Sequence, residues 1–277
     1  GIAEAIDYAW QNGADVLSNS WGGTTPDQLI EDALYRAKTQ GRDGRGCVIV
    51  FSSGNEGNGE VNYPAYLDYL IAVGASNMFD EKKNPGSRDL IRKWGGNYGS
   101  DLDLIAPTTV YTTDILGEDG FKEGDYSDAF GGTSASCPQV AAAAALVLSA
   151  NANLTSDEVQ DILQKSADPV ERYSFNSEGW NKHVGYGRVN TWNAVRSAYG
   201  LDGEMPRIVH TPLQPTGSID SLQVTAEISD NLGIAGDPAL WYRTIFDGDT
   251  SEWYITTDPD GPAGSLYEFH IPGQKWR

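Results

Sequence analysis

Residues 131–138 read Gly-Gly-Thr-Ser-Ala-Ser-Cys-Pro and lead straight into an apolar run, Val140 to Leu148, most of it alanine. A helix apolar on every side has to be buried. The run is too short for a membrane span, so it predicts a core helix that other elements must cover. The small residues ahead of it form a helix mouth, where unpaired N–H groups and the positive end of the helix dipole gather. A serine at that mouth, Ser134, is well placed as a nucleophile, because an oxyanion forming beside it would be stabilised. The same residues also suit plain N-capping.

A second stretch narrows the reading. Val48-Ile49-Val50-Phe51 is followed by Ser52-Ser53-Gly54-Asn55-Glu56-Gly57. Four apolar residues and then small ones predict a buried parallel strand ending in a loop. In open α/β sheets, ligands sit beyond the carboxyl ends of the strands. Asn55 stands there, with a side-chain amide able to donate to an oxyanion, although Gly-Asn-Glu-Gly is also turn chemistry. A dinucleotide loop does not fit: the glycine spacing is wrong, and Val61-Asn62-Tyr63-Pro64 follows where a helix should start.

The wider pattern alternates strand and helix. Helices are expected at 1–13, 27–40, 134–150, 155–167 and 190–199, and strands at 16–19, 47–51, 71–75 and 103–106. Ile30, Ala33, Leu34 and Ala37 share one helix face. Pro138 is expected in the first turn of its helix, where proline is tolerated. Thr155 and Glu158 form a capping box. This alternation implies a parallel sheet with helices on both faces.

These motifs together resemble the subtilisin-like serine peptidases, the subtilases, from Gly1 to about Tyr199. The segments that carry the resemblance are Ala14 to Gly23, Ser53 to Gly57, Tyr63-Pro64-Ala65 with Ile71 to Ala75, Leu102 to Pro107, Gly132 to Pro138 and Gly185 to Asn190. The resemblance implies a peptidase that forms an acyl-enzyme on Ser134, with Asn55 as oxyanion donor. It implies substrate contacts at Ser20, Trp21, Gly22, Ser52, Ser53, Gly54 and Asn62. It also implies protein or peptide substrates, structural calcium as in the family, and an extracellular or cell-surface location. Trp21 resembles the proprotein-convertase branch, without that branch's acidic residues. Thr108 and Asn62 stand where many relatives have glycine. Asn62 should make the specificity pocket shallower, and Glu56 at its rim could favour a cationic side chain.

The family's triad runs Asp, His, Ser along the chain. The three histidines here, His183, His210 and His270, all follow Ser134. The reading is therefore a fragment whose Asp and His lie upstream of Gly1 and which is inactive alone. An α/β-hydrolase using Ser134 and His183 fails on the nucleophile elbow, which needs Gly-x-Ser-x-Gly. A non-catalytic surface or binding module remains the other alternative.

The formal charge is −20, from 39 acidic and 19 basic residues. That balance argues against nucleic acid and anionic membranes as partners. Cys47 and Cys137 are read as buried free thiols. Cys47 begins a strand whose eight residues to Asn55 span roughly 26 Å, too far for a bond to a cysteine one turn after Ser134.

Beyond Gly200 the pattern changes. Residues 201–206 read as a linker and 207–277 as a partial all-β domain. Short strands are expected at 207–211, 222–229, 240–245, 253–257 and 267–271, giving an immunoglobulin- or fibronectin-like sandwich. Trp241, Tyr242, Trp253 and Tyr254 could bind carbohydrate but suit core packing better. Asp247, Asp249, Asp258 and Asp260 could bind calcium but suit turns better, since their spacing matches no known calcium loop. Ile271-Pro272-Gly273-Gln274 reads as a strand end that should continue.

Overall fold

The structure is a computed structural model. It describes residues 1–200 apart from 24 and 90–92, and beyond them the strands of the C-terminal part. The chain divides into two compact units, Gly1–Gly200 and Leu201–Arg277.

In the first unit, α1 (Ile2–Gln11), β1 (Val16–Asn19), α2 (Gln28–Gln40), β2 (Val48–Ser52), β3 (Ile71–Ser76) and β4 (Leu104–Pro107) follow in order. A hairpin comes next, β5 (Val110–Thr113) and β6 (Tyr126–Phe130), then α3 (Thr133–Ala150), α4 (Ser156–Lys165) and α5 (Thr191–Ala198). The four strands β1-β2-β3-β4 lie side by side in sequence order, and every pair is parallel.

The sheet is buried on both faces, and alternate residues of each strand supply different cores. Leu17, Ile49, Phe51, Ala72 and Ile105 pack with Ile6 of α1 and with Ile30, Ala33, Leu34 and Ala37 of α2. Val48, Val50, Ile71, Val73, Leu104 and Ala106 pack with α3, with Val159 and Leu163 of α4, and with Ala194 and Ala198 of α5. Helices therefore cover both faces. The alanines of α3 let it sit close on the sheet, and it touches all four strands.

At 18 residues α3 is long and apolar enough to cross a membrane by length and composition. Its length exceeds the expected run because the small polar residues of its first turns are also helical. Val140, Ala143, Ala144 and Val147 are fully buried against the sheet, so it is a core helix.

Three details depart from the sequence reading. Pro138 is the sixth residue of α3, not part of its first turn, because the helix begins at Thr133. The β5–β6 hairpin falls where no element was expected. Elsewhere in the first unit the boundaries agree to within two residues: Asp27 caps α2, Thr155 completes the capping box of α4, and Asn190 caps α5; in the second unit the strand expected at 240–245 is instead two, Ala239–Tyr242 and Ile245–Phe246.

The second unit contains β7 (Arg207–His210), β8 (Leu222–Ser229), β9 (Ala239–Tyr242), β10 (Ile245–Phe246), β11 (Asp249–Thr250), β12 (Tyr254–Thr257) and β13 (Leu266–Ile271). Among the described residues its pairs are antiparallel: a three-stranded sheet β13-β8-β7 and the pairs β12-β9 and β10-β11. Ala226 and Phe269 are buried, with Val224 and Leu240 packed against them. Tyr242 lies opposite Tyr254 in register. The expected linker 201–206, the strand ends at Thr211 and Trp253, Asp247, Asp258, Asp260 and the segment from Pro272 lie outside the described residues.

Candidate active site

Asn19 and Phe51 are register partners at the carboxyl ends of β1 and β2. The segments that leave those strands, Ser20-Trp21-Gly22 and Ser53-Gly54-Asn55, therefore emerge from one edge of the sheet. The start of α3 is pinned against both.

Ser134 is the second residue of α3 and is half-buried. The N-cap is Gly132, at φ +85°, and it provides no side-chain cap. Ser134 is therefore not a capping residue: its hydroxyl donates to Ser20 O at 3.4 Å. The return bond runs from Ser20 Oγ to Ser134 O at 2.9 Å. That carbonyl would ordinarily accept the N–H four residues on, but residue 138 is proline and has none. Ser20 satisfies it instead, which lets proline sit inside the helix.

Asn55 is exposed and reaches α3 rather than its own turn. Its Oδ1 accepts the Thr133 backbone N–H at 2.8 Å and the Thr133 hydroxyl at 3.1 Å. Fixing Oδ1 also fixes the direction of Nδ2, which makes no hydrogen bond among the described residues. A methyl carbon placed on Gly132 would stand 3.3 Å from Asn55 Oδ1, 3.4 Å from Asn55 Nδ2 and 3.5 Å from Ser134 N, so the amide and that backbone N–H both lie close to Gly132. Thr108 Oγ1 donates to Gly132 O at 2.9 Å, so the residue that follows β4 ties that strand to the loop ahead of α3.

The wall beside Asn55 is built around Asn97, which is 1% exposed. Asn97 Oδ1 accepts the Glu56 and Asn58 backbone N–H groups, and its Nδ2 donates to Glu56 Oε2 and Asn62 Oδ1. Asn62 Nδ2 also donates to Glu56 Oε2 at 3.1 Å. Burial opposes ionisation of Glu56. Hydrogen bonds from Asn97, its own N–H, Asn62 and the Asn55 N–H outweigh that and hold its carboxyl below the usual range. Gly54 sits beneath, at φ +109°, where a Cβ would come within 2.4 Å of Asn97 Nδ2 and 2.5 Å of Asn62 Nδ2. Asn62 thus lies directly on Gly54.

The other residues named from sequence gather here too. Ser52 ends β2, and Ser53 Oγ donates to Asn97 O. Asn62 N donates to Ser53 O, and Gly23 N donates to Tyr63 O beside Gly22. Trp21 turns inward, edge-on to Phe51 at 5.0 Å, with its Nε1 on Asn19 Oδ1. Sequence reasoning missed Asn97, since Gly-Gly-Asn-Tyr carries no motif and its partners are distant in the chain.

His183 belongs elsewhere. Its ring stacks on Tyr98 at 4.6 Å and on Tyr173 at 5.9 Å. Burial first, then Lys82 and Lys182, lower its pKa. Ser134 Oγ has its bond to Ser20 O, which leaves the hydrolase alternative without support. His210 lies on β7 and His270 on β13 of the second unit. Cys47 and Cys137 are free and buried. Cys137 Sγ faces the Asn19 and Val50 carbonyls. Among the described residues no three His, Cys, Asp or Glu side chains converge on a metal position.

The subtilase family model matches residues 1–187. The chain belongs to the subtilase family. This subtilase is 35% identical over 260 residues to a calcium-dependent protease of Trichormus variabilis, covering 80% of this chain and 38% of that protein. It is 31% identical over 196 residues to thermitase of Thermoactinomyces vulgaris, covering 70% of this chain and 59% of thermitase. Among solved structures it is similar to the patellamide maturation protease PatA, with TM-score 0.53, 26% identity, and 72% of this chain and 68% of that one covered. The chain spans less than two thirds of these curated relatives, and its relatives in the family are serine endopeptidases.

Proposed function

We propose that this chain carries the nucleophile and oxyanion half of an endopeptidase that cuts peptide bonds through an acyl-enzyme on Ser134. One observation carries the reading: Asn55 Oδ1 is anchored on Thr133 N, leaving Nδ2 uncommitted beside the N-terminal N–H of Ser134. Two fixed donors at a helix mouth stabilise charge that develops only in the transition state. Ser52, Ser53, Gly54 and Asn62, with Ser20, Trp21 and Gly22, form the substrate contacts in this reading.

The resemblance places the triad's Asp and His before Ser134, and the histidines of this chain all follow it. Cleavage is therefore assigned to a protein in which those two residues complete the site. Without a base Ser134 is an ordinary alcohol, so the 277-residue chain alone should not hydrolyse peptides at an appreciable rate. Joining an upstream subtilase segment that bears the Asp and His should restore cleavage, and Ser134→Ala in that protein should abolish it. A completed protein that cuts peptides equally well without Ser134 would overturn the assignment.

The pocket floor supports a substrate reading. Asn62 lying over Gly54 makes the pocket shallow, and the ionised Glu56 favours a cationic side chain before the cut bond. The partner is a protein or peptide, as for the family. For structural calcium we propose no ligand set, since the described residues do not converge on one. We place the protein outside the cell or at its surface by resemblance alone. We also read residues 207–277 as part of an immunoglobulin- or fibronectin-like sandwich, supported by Leu240 of β9 packing on Ala226 and Phe269.

A further inference from the structure

The β5–β6 hairpin is the most conspicuous surface feature that the catalytic reading does not use. Thr112 and Ser127 are partners on its inner face, and Ser127 is buried. The outer face is apolar and bare: Tyr111 is 84% exposed and Tyr126 70%, and Leu116 and Phe121 at the tip are 76% and 75% exposed. Among the described residues neither strand pairs with a third. Monomeric proteins rarely leave such a patch without a use.

Charge says what would cover it. Residues 110–130 contain Asp114, Glu118, Asp119, Glu123, Asp125 and Asp128 against Lys122, so 1 − 6 gives a net −5. Lys122 pairs with Asp128. Asp114 takes the backbone N–H groups of Phe121, Ile115 and Lys122, which hold its carboxyl below the usual range, so it stays charged. Glu118, Asp119 and Glu123 have no basic partner among the described residues. Nucleic acid and anionic lipid are repelled by this field, and a basic polypeptide is attracted. The hairpin is also tied to the catalytic residues. Its two stems meet where Thr108 Oγ1 holds Gly132 O, next to the Thr133 N–H that anchors Asn55.

We infer that the outer face of the β5–β6 hairpin is a docking surface for a cationic, apolar-bearing segment of the protein substrate, held outside the cleft that contains Ser134. The inference rests on the peptidase reading for the nature of the partner. Tyr111, Tyr126 and Phe121 take the apolar side chains, and Glu118, Asp119 and Glu123 take the cations.

The test uses the 277-residue chain and a fluorescein-labelled peptide that alternates Lys with Phe or Leu. A second peptide replaces each Lys by Glu. Fluorescence anisotropy at low salt should give saturable binding of the Lys peptide only, weakened about tenfold at about 0.5 M salt, where surface charge is screened. The pair Tyr111→Ser, Tyr126→Ser and, separately, the triple Glu118→Gln, Asp119→Asn, Glu123→Gln should each weaken it about tenfold. The triple removes charge without removing carbon, so it decides the matter even if the tyrosine pair fails to fold. Equal affinity for both peptides, or affinity unchanged in the triple, overturns the inference. So does a chain that is dimeric by light scattering and becomes monomeric in the tyrosine pair, since a second copy then covers the face. Loss of peptide binding with Ser134-dependent cleavage intact removes this inference alone. Binding that persists where cleavage is indifferent to Ser134 means that the partner is no substrate, and both readings fall.

Discussion

Pro138 leaves the Ser134 carbonyl without its helical donor, and Ser20 Oγ takes that place. The two residues should therefore be coupled. Ser20→Ala should cost about 1 kcal/mol of stability, the usual loss for one such bond. In a Pro138→Ala background the helix regains its N–H, and Ser20→Ala should cost measurably less; urea denaturation of the four proteins reads the difference. Asn55→Ala belongs to the same scale. If Asn55 is the oxyanion donor proposed above, the peptidase with its upstream segment should lose about 3 kcal/mol of transition-state stabilisation, the magnitude typical of removing one such donor, with little change in ground-state peptide binding. Steady-state kcat against peptide affinity separates the two effects. The positions of Ser134 and Asn55 were legible in sequence because each ends a local pattern, a helix mouth or a strand end, and the structure brings Asn55 onto the first residue of that helix. Asn97 was not, because it acts through Glu56, Asn58 and Asn62, which no periodicity links to it.

At the junction of β3 and β4, Asp103 accepts the Ala72 N–H at 2.7 Å and Gln164 Nε2 at 2.7 Å. Burial outweighs these bonds and pushes its carboxyl up to about 6, from an ordinary 3.8. The folded state then holds this proton where the unfolded chain has released it. The Asp103 contribution to stability should fall as pH rises from about 4 to about 6 and stay level above that. Asp103→Asn should flatten that part of the pH–stability curve, as chemical denaturation at several pH values would show. Elements with an apolar period or a cap were readable: β1 fell on its expected residues, and α2 and α4 on their caps. The β5–β6 hairpin was not, because its strands have few apolar residues aimed at a core, and an acidic, glycine-containing tip carries no apolar period. Pro138 was misplaced for a related reason: Thr133 enters the helix without a side-chain cap to mark the boundary.

For the whole molecule, both thiols are buried and unpaired, and burial raises the pKa of each, Cys47 to about 11. Ellman's reagent should find neither in the native chain and both after denaturation, and a reductant should leave Tm unchanged; rapid native labelling would contradict the packing. The parallel order β1-β2-β3-β4 also has a temporal meaning. α3 covers one face of all four strands, yet it follows every one of them in the chain. A ribosome emitting about 5–20 residues per second exposes finished strands before their cover exists. Val48, Val50, Ile71, Val73 and Leu104 then face water, or a chaperone, until residues 133–150 emerge. Nascent chains halted near residue 130 should be protease-sensitive and bound by holdases, and chains halted beyond residue 200 and its exit-tunnel allowance should be neither. The helix that presents Ser134 is thus also the piece whose arrival ends the vulnerable phase of synthesis.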